Sequence, residues 1–290
     1  MGIPDLLKLV LRTAGRQVDL SADPDFCKDK RLAIDTSGWL HKAIRRDSKN
    51  VVLKGTSDAA LGWMKTSTEA LLGLGAIPVH VFDGGRYPPK LATQQSRRDT
   101  AAAAEQEARN PGAGVRGQAL GKLWQKAATV QDPLVRELMQ WCIEREVEFV
   151  VAPYEADHQL INLLDDEKVD LVLVASQDSD IAANGATSAI YDLDLVTLSC
   201  VHVQLLDDVL GKQVGRFDFR RWTFDRWLVL CCLSGCDYLE NLPNYKLTSV
   251  YKVMAADSEL SDDLLLPAGD KHPPLARRPA RWCTARRMSP

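Results

Sequence analysis

Short apolar runs recur along the chain between longer stretches in which apolar positions fall every three or four residues. The short runs predict strands at Arg31 to Asp35, Ile77 to Asp83, Val147 to Ala152 and Asp170 to Ala175, where aliphatic and β-branched residues dominate. A closer pair, Ser188 to Leu193 and Val196 to Val201, predicts a hairpin or a sheet edge. Residues 57 to 75, 90 to 108, 132 to 146 and 154 to 165 predict helices, and Trp227 to Leu233 a further, strongly apolar one. Strands alternating with helices define an α/β fold class with a mainly parallel central sheet flanked by helices.

Between the second and third of these strands, residues 86 to 130 form a polar, Ala-rich insertion broken by Asn110-Pro111-Gly112-Ala113-Gly114. That length exceeds a simple crossover, so the insertion is expected to be two helices joined by a turn and projecting from the sheet. From Ser261 onward the core periodicity is lost, and residues 271 to 290 hold six Lys/Arg and no acid. Such a composition predicts a disordered basic tail, with nuclear import or phosphate binding as its alternative uses. No internal repeat is present.

With 290 residues, 46% of them apolar, the chain can bury a substantial core, which excludes a disordered chain and a disulfide-stapled mini-protein. Its formal net charge of -3 at first argues against a nucleic-acid partner. The average conceals segregation: without the six tail cations, residues 1 to 270 carry -9. Seven cysteines, an odd number, with no signal-peptide pattern and no apolar run of the ~18 residues a membrane span needs, predict a reduced intracellular protein with no membrane partner. Cys231, Cys232 and Cys236 form the tightest group, but no His or second Cys pair stands at zinc spacing, so buried free thiols are expected.

Ligand sites of open α/β sheets lie beyond the carboxyl ends of the strands, and acids gather there. Asp35 and Asp83 close the first two strands, Glu155 and Asp157 open the helix after the third, Asp178 and Asp180 follow the fourth, and Asp237 follows the apolar helix. Any one of them serves as a helix N-cap or turn residue; seven at one edge repel each other and require cations. Oxygen donors without His or Cys select Mg²⁺ or Mn²⁺. The E-x-D and D-x-D spacings let each pair bracket one ion, and two ions about 4 Å apart form a clamp for in-line phosphoryl transfer. Four cations, Arg86, Lys90, Arg97 and Arg98, stand within residues 84 to 98, where there is no acid. Lys90 and Arg97 are spaced to share a helix face that grips a phosphate. Two other motifs are set aside. Asp192-Leu193-Asp194 lies in an alternating hairpin and reads as a solvated strand end. Gly112 to Gly117 matches G-x-G-x-x-G by letter but follows a polar helix rather than a strand.

Six ordered segments resemble the flap endonuclease/XPG family of structure-specific 5′ nucleases. They are Met1-Gly2-Ile3-Pro4-Asp5-Leu6-Leu7; Ile34-Asp35-Thr36 with Trp39-Leu40-His41-Lys42; Val81-Phe82-Asp83-Gly84; Val151-Ala152-Pro153-Tyr154-Glu155-Ala156-Asp157; Gln177-Asp178-Ser179-Asp180; and Leu233-Ser234-Gly235-Cys236-Asp237-Tyr238. The Trp-Leu-His-Lys element and the spacing are most similar to the family's eukaryotic exonuclease I branch, and the resemblance covers about residues 1 to 255. It implies a PIN-like nuclease core made of regions 1–85 and 131–240, a helical arch at 86–130, a partial duplex-binding helix-turn-helix region at 241–258 and a basic tail at 259–290. It further implies a Mg²⁺-dependent 5′→3′ exonuclease and 5′-flap endonuclease acting on DNA in repair, replication or recombination. Two Mg²⁺ ions per site are implied, replaceable by Mn²⁺. The seven acids become the metal ligands or their neighbours, Lys90 and Arg97 the catalytic cations, and Gly2, His41 and Arg98 DNA contacts; Lys246, in a stretch that departs from the family, is expected to add a direct phosphate contact. DNA with a 5′ end, nick or flap, repair or replication proteins as further partners, a monomeric state and a nuclear location complete the expectation.

The chain also departs from the family pattern. A Gly-Ile-Gly-type turn that binds a monovalent cation and duplex backbone in the family is replaced by Leu242-Pro243-Asn244-Tyr245-Lys246. Both glycines are missing, which removes the close backbone approach to a phosphate. Ser37 and Gly38 stand where bulkier residues are frequent, and Gln177 where an acid is common. Two other readings remain open at this point: a DNA-structure-binding protein with weakened catalysis, and an RNA-processing nuclease of the same fold.

Overall fold

The computed structural model describes residues 3, 5–112, 114–174, 179–236 and 245–256. The chain turns helically through Leu7–Leu11 and α1 (Arg12–Ala14), runs along β1 (Arg16–Asp19) and enters the sheet as β2 (Arg31–Asp35). Helices α2 (Thr36–Ile44), α3 (Ser48–Lys54) and α4 (Asp58–Gly73) lead to β3 (Ile77–Phe82). Then α5 (Leu91–Arg109), α6 (Gln118–Ala127) and α7 (Asp132–Glu144) precede β4 (Glu148–Val151). Beyond it lie α8 (Ala156–Asp165), β5 (Leu171–Leu173), α9 (Asp180–Ala183), β6 (Ala189–Asp194) and β7 (Ser199–Val203). A small hairpin of β8 (Gln213–Val214) and β9 (Phe217–Asp218) is followed by α10 (Phe224–Leu233) and α11 (Leu247–Ala256).

The seven-stranded sheet has the order β1-β7-β6-β5-β2-β3-β4. Its centre is parallel, through β2 against β3 and β5, β3 against β4 and β5 against β6, while β6–β7 and β1–β7 are antiparallel. The chain builds outward from β2 to β4 and then returns to β5 on the other side of β2, so the strand order switches at the carboxyl ends of β2 and β5. Alternation along β2 feeds two cores. Ala33 packs with α8 and α10 on one face, and Leu32 and Ile34 pack with α2, α4 and α7 on the other. Local signals set the helix starts: Ser57 accepts from Ala60 N–H to open α4, and Thr223 accepts from Arg226 N–H to open α10.

The insertion is the expected pair of helices, but it is not free-standing. Ala101, Ala104 and Ala108 of α5 are buried, as are Trp124 and Ala127 of α6, so small side chains let the two helices pack closely. α6 packs in turn against α3. Of the cysteine group only Cys231 is buried; Cys232 and Cys236 are half-buried, and all three are free thiols. Burial of Cys231 pushes its thiol well up, with the charge of nearby Asp180 acting in the same direction. The expected solvated strand end at Asp192 and Asp194 is instead engaged. Asp192 takes two hydrogen bonds from the Arg12 guanidinium, and Asp194 accepts from the N–H groups of Val196 and Thr197 to close the β6–β7 turn.

His80 of β3 is fully buried, with Nδ1 3.0 Å from Thr36 Oγ1 and Nε2 3.0 Å from Thr68 Oγ1. The Thr68 hydroxyl donates to Met64 O at 2.9 Å and the Thr36 hydroxyl to Ile34 O at 3.2 Å, which leaves an oxygen lone pair on each threonine for whichever ring nitrogen carries the proton. Burial lowers the imidazole pKa to about 4. The unfolded chain, with a histidine pKa near 6.5, therefore takes up a proton that the folded state refuses. Stability attributable to His80 is full above about pH 6.5 and falls as pH drops toward about 4, by about 3 kcal/mol in all. Urea denaturation from pH 7.5 to 4.5 is expected to show this slope, and His80→Phe is expected to flatten it.

Candidate active site at the strand ends

Each predicted acid among the described residues stands where a strand gives way to a helix. Asp35 ends β2, is only 3% exposed, and its Oδ1 accepts from Gly38 N–H at 2.9 Å, capping α2. Asp83 follows β3 and is solvent-exposed. Its Oδ2 accepts from Ser37 Oγ at 2.5 Å and its Oδ1 from Ala156 N–H at 2.7 Å. One carboxylate thus ties the first turn of α2 to the first turn of α8. Glu155 occupies the N-cap position of α8 and Asp157 its first turn, while Asp180 begins α9 and is 8% exposed. Helix N-termini point their free N–H groups and positive dipole ends toward these carboxylates and lower the cost of gathering them.

Lys90 closes the arrangement from the start of α5. Its ammonium lies 2.7 Å from Glu155, with both side chains largely buried. Sequence spacing placed Lys90 on a helix face with Arg97; in the structure Lys90 instead ends a 3₁₀ turn, Pro88–Lys90, and serves as the N-cap of α5. Arg97 and Arg98 lie on α5, both exposed. His41 on α2 is open to solvent at its edge, yet the protein around it lowers its pKa, chiefly by desolvation. Arg45 and Arg97 add to that shift and the Asp83 charge opposes it. Lys246 is exposed at the start of α11. Gly2, Asp178 and Asp237 lie outside the described residues, as does the turn at 242–244.

Three features escaped sequence reasoning. Ser37, noted only as a departure, donates to Asp83. Tyr87 and His158 join Tyr154 in a ring cluster beside the Lys90–Glu155 pair, with centroids 5.7 Å apart for Tyr87–Tyr154 and 5.8 Å for Tyr87–His158. Desolvation lowers the His158 pKa, with Glu155 opposing and Lys90 assisting. Tyr154 lies within a motif already singled out, so its neighbourhood was legible although its ring partners were not.

The donors described are all carboxylate oxygens, which suits a hard divalent cation. Among the described residues no three His, Cys, Asp or Glu side chains converge on one metal position. Mg²⁺ tolerates that, since it keeps several waters and takes one or two carboxylates together with substrate phosphates.

A mainly parallel sheet, acidic strand ends at a topological switch point and a helical hairpin beside them define a PIN-like nuclease fold. The same architecture occurs in the catalytic core of Rad2 solved in complex with a DNA substrate, with TM-score 0.63 and 20% identity over 88% of this chain and 67% of that one. It also occurs in flap endonuclease-1 from Methanococcus jannaschii, with TM-score 0.58 and 18% identity over 88% of this chain and 77% of that one. The XPG N-terminal domain matches residues 1–104 and the XPG I-region residues 146–237, and the chain belongs to the XPG family. Among curated proteins it is 28% identical to Exonuclease 1 of Drosophila melanogaster over 254 residues, 87% of this chain and 33% of the relative. It is 29% identical to Exonuclease 1 of Arabidopsis thaliana over 228 residues, 77% of this chain and 30% of the relative. The chain thus spans about a third of the length of these relatives.

Proposed function

We propose that this chain is a Mg²⁺-dependent 5′→3′ exonuclease and 5′-flap endonuclease that hydrolyses phosphodiester bonds of DNA in repair, replication or recombination. The observation that carries it is Asp83 bridging α2 and α8 beside the buried Lys90–Glu155 pair, at the strand ends of an XPG-family fold. Asp35, Asp83, Glu155, Asp157 and Asp180, with Asp178 and Asp237, would hold two Mg²⁺ ions, for which Mn²⁺ can substitute. Bound there, the metal supplies an acidified water and neutralises charge on the leaving oxygen.

The protein's own groups do the rest. Lys90, held by Glu155 in a nearly water-free position, is a pre-oriented donor for the scissile phosphate, and Arg97 adds charge from the arch. His41, neutral at pH 7 because its pKa is lowered, offers a ring face to the base beside the cut. Arg98, Lys246 and Gly2 extend the contact along the backbone. The gene-maintenance role places the protein in the nucleus with repair or replication proteins as partners, working as a monomer; no helix among the described residues is long and apolar enough to cross a membrane.

Labelled 5′-flap, nicked, blunt and RNA substrates, incubated with Mg²⁺ or with EDTA, test this reading. Cleavage of DNA near a 5′ end or junction, abolished by EDTA, is expected. Binding without cleavage, or preferred cleavage of RNA, would replace it with the weakened-binder or RNA-nuclease reading.

A further inference from the structure

The ring cluster of Tyr87, Tyr154 and His158 stands beside the Lys90–Glu155 pair. Tyr154 is 46% exposed although it immediately precedes Glu155, and its backbone is fixed: Gly84 N–H donates to Tyr154 O at 2.6 Å and Gly85 N–H to Pro153 O at 3.0 Å. Its ring edge lies 3.8 Å from where a β-carbon on Gly85 would stand, and the ring is braced by Tyr87, which is braced by His158 on α8. An aromatic ring held this firmly yet left half open has little conformational freedom to lose when another flat group covers it. Asp83 orients the site around it: one carboxylate oxygen faces α2, which bears His41, and the other faces α8, next to which Tyr154 stands.

We propose that Tyr154, braced by Tyr87 and His158, is a stacking platform for an unpaired nucleobase of the strand being cut, on the α8 side of Asp83 and so distinct from His41 on the α2 side. The proposal rests on the nuclease reading, because it needs a strand whose phosphate lies at Lys90. Adjacency sets the register: Tyr154 is bonded to Glu155, and Tyr87 lies three residues before Lys90, so a base stacked here belongs to a nucleotide next to the phosphate that Lys90 contacts. Stacking uses the π-face common to all bases, so the platform is tolerant of sequence.

The test uses the full chain and a 5′-flap DNA in which each nucleotide flanking the cut is replaced in turn by an abasic one. Tyr154→Ala is expected to raise KM about 5- to 100-fold on intact DNA, with kcat within about twofold, and Tyr154→Phe to restore the low KM. One abasic position is expected to raise the wild-type KM by the same factor, with no further rise when Tyr154→Ala is added. Tyr154→Leu keeps apolar cover over Gly85 and separates stacking from folding: it should melt like wild type and still show the raised KM. A Tyr154→Ala KM within about twofold of wild type, or a penalty fully additive with every abasic position, would overturn the platform while leaving the nuclease intact. A wild-type chain that cuts no 5′-ended DNA with Mg²⁺ overturns the nuclease reading, and the platform with it.

Discussion

Asp83→Asn is expected to slow cleavage of 5′-flap DNA by about 10³-fold or more while shifting the stability by no more than about 1 kcal/mol. The two outcomes separate because of how Asp83 is bonded. Its oxygens accept from Ser37 Oγ and Ala156 N–H. An asparagine can keep the second bond through its carbonyl oxygen and donate its amide to a rotated Ser37 hydroxyl, so the link between α2 and α8 survives. The negative charge does not survive, and with it goes the ligand that the proposed site would offer a divalent cation. The same change removes a charge that holds the His41 pKa up against desolvation, so that pKa should fall further. Single-turnover cleavage, thermal unfolding and an NMR titration of His41 read these effects independently. A variant within about tenfold of wild-type activity at saturating Mg²⁺ removes Asp83 from the site.

What could be read from the chain followed burial. The predicted strand Arg31 to Asp35 coincides with β2 because every residue after Arg31 is buried and the run is continuous. β1 was missed: its residues Arg16, Gln17 and Asp19 are exposed and only Val18 is buried, so an edge strand leaves almost no hydrophobic trace. The hairpin was found but its second strand shifted, from Val196–Val201 to Ser199–Val203. Asp194 draws the N–H groups of Val196 and Thr197 into a turn and leaves Val196 91% exposed. The acids were legible because they follow strands. Their partners were not, since Ser37–Asp83 and Lys90–Glu155 join residues far apart in the chain. Lys90 was misplaced onto a helix face because Pro88-Pro89 sets a 3₁₀ turn, whose different periodicity a spacing of seven does not reveal.

Gly84→Ala is expected to destabilise the fold by about 3 kcal/mol or more and to abolish cleavage. A β-carbon there would lie 1.8 Å from Ala152 O and 2.9 Å from Ala152 C, both backbone atoms. That backbone cannot yield cheaply: Ala152 N–H donates to Phe82 O at 2.9 Å, and Gly84 N–H donates to Tyr154 O at 2.6 Å. Any shift that relieves the clash also moves Glu155 and Asp157, three and five residues beyond Ala152, away from Lys90 and Asp83. The close crossing of the β3 and β4 ends is therefore what brings carboxylates from two loops to one edge, and a glycine after Asp83 is its steric condition. Gly62→Ala is the matched control. It adds the same methyl within α4, where nothing lies within 4 Å, and should stabilise by about 1 kcal/mol through helix propensity. Opposite signs for the two substitutions in urea denaturation, with cleavage lost only in Gly84→Ala, are the expected result. A Gly84→Ala protein of wild-type stability and activity would show that the two strand ends can separate without cost to the site.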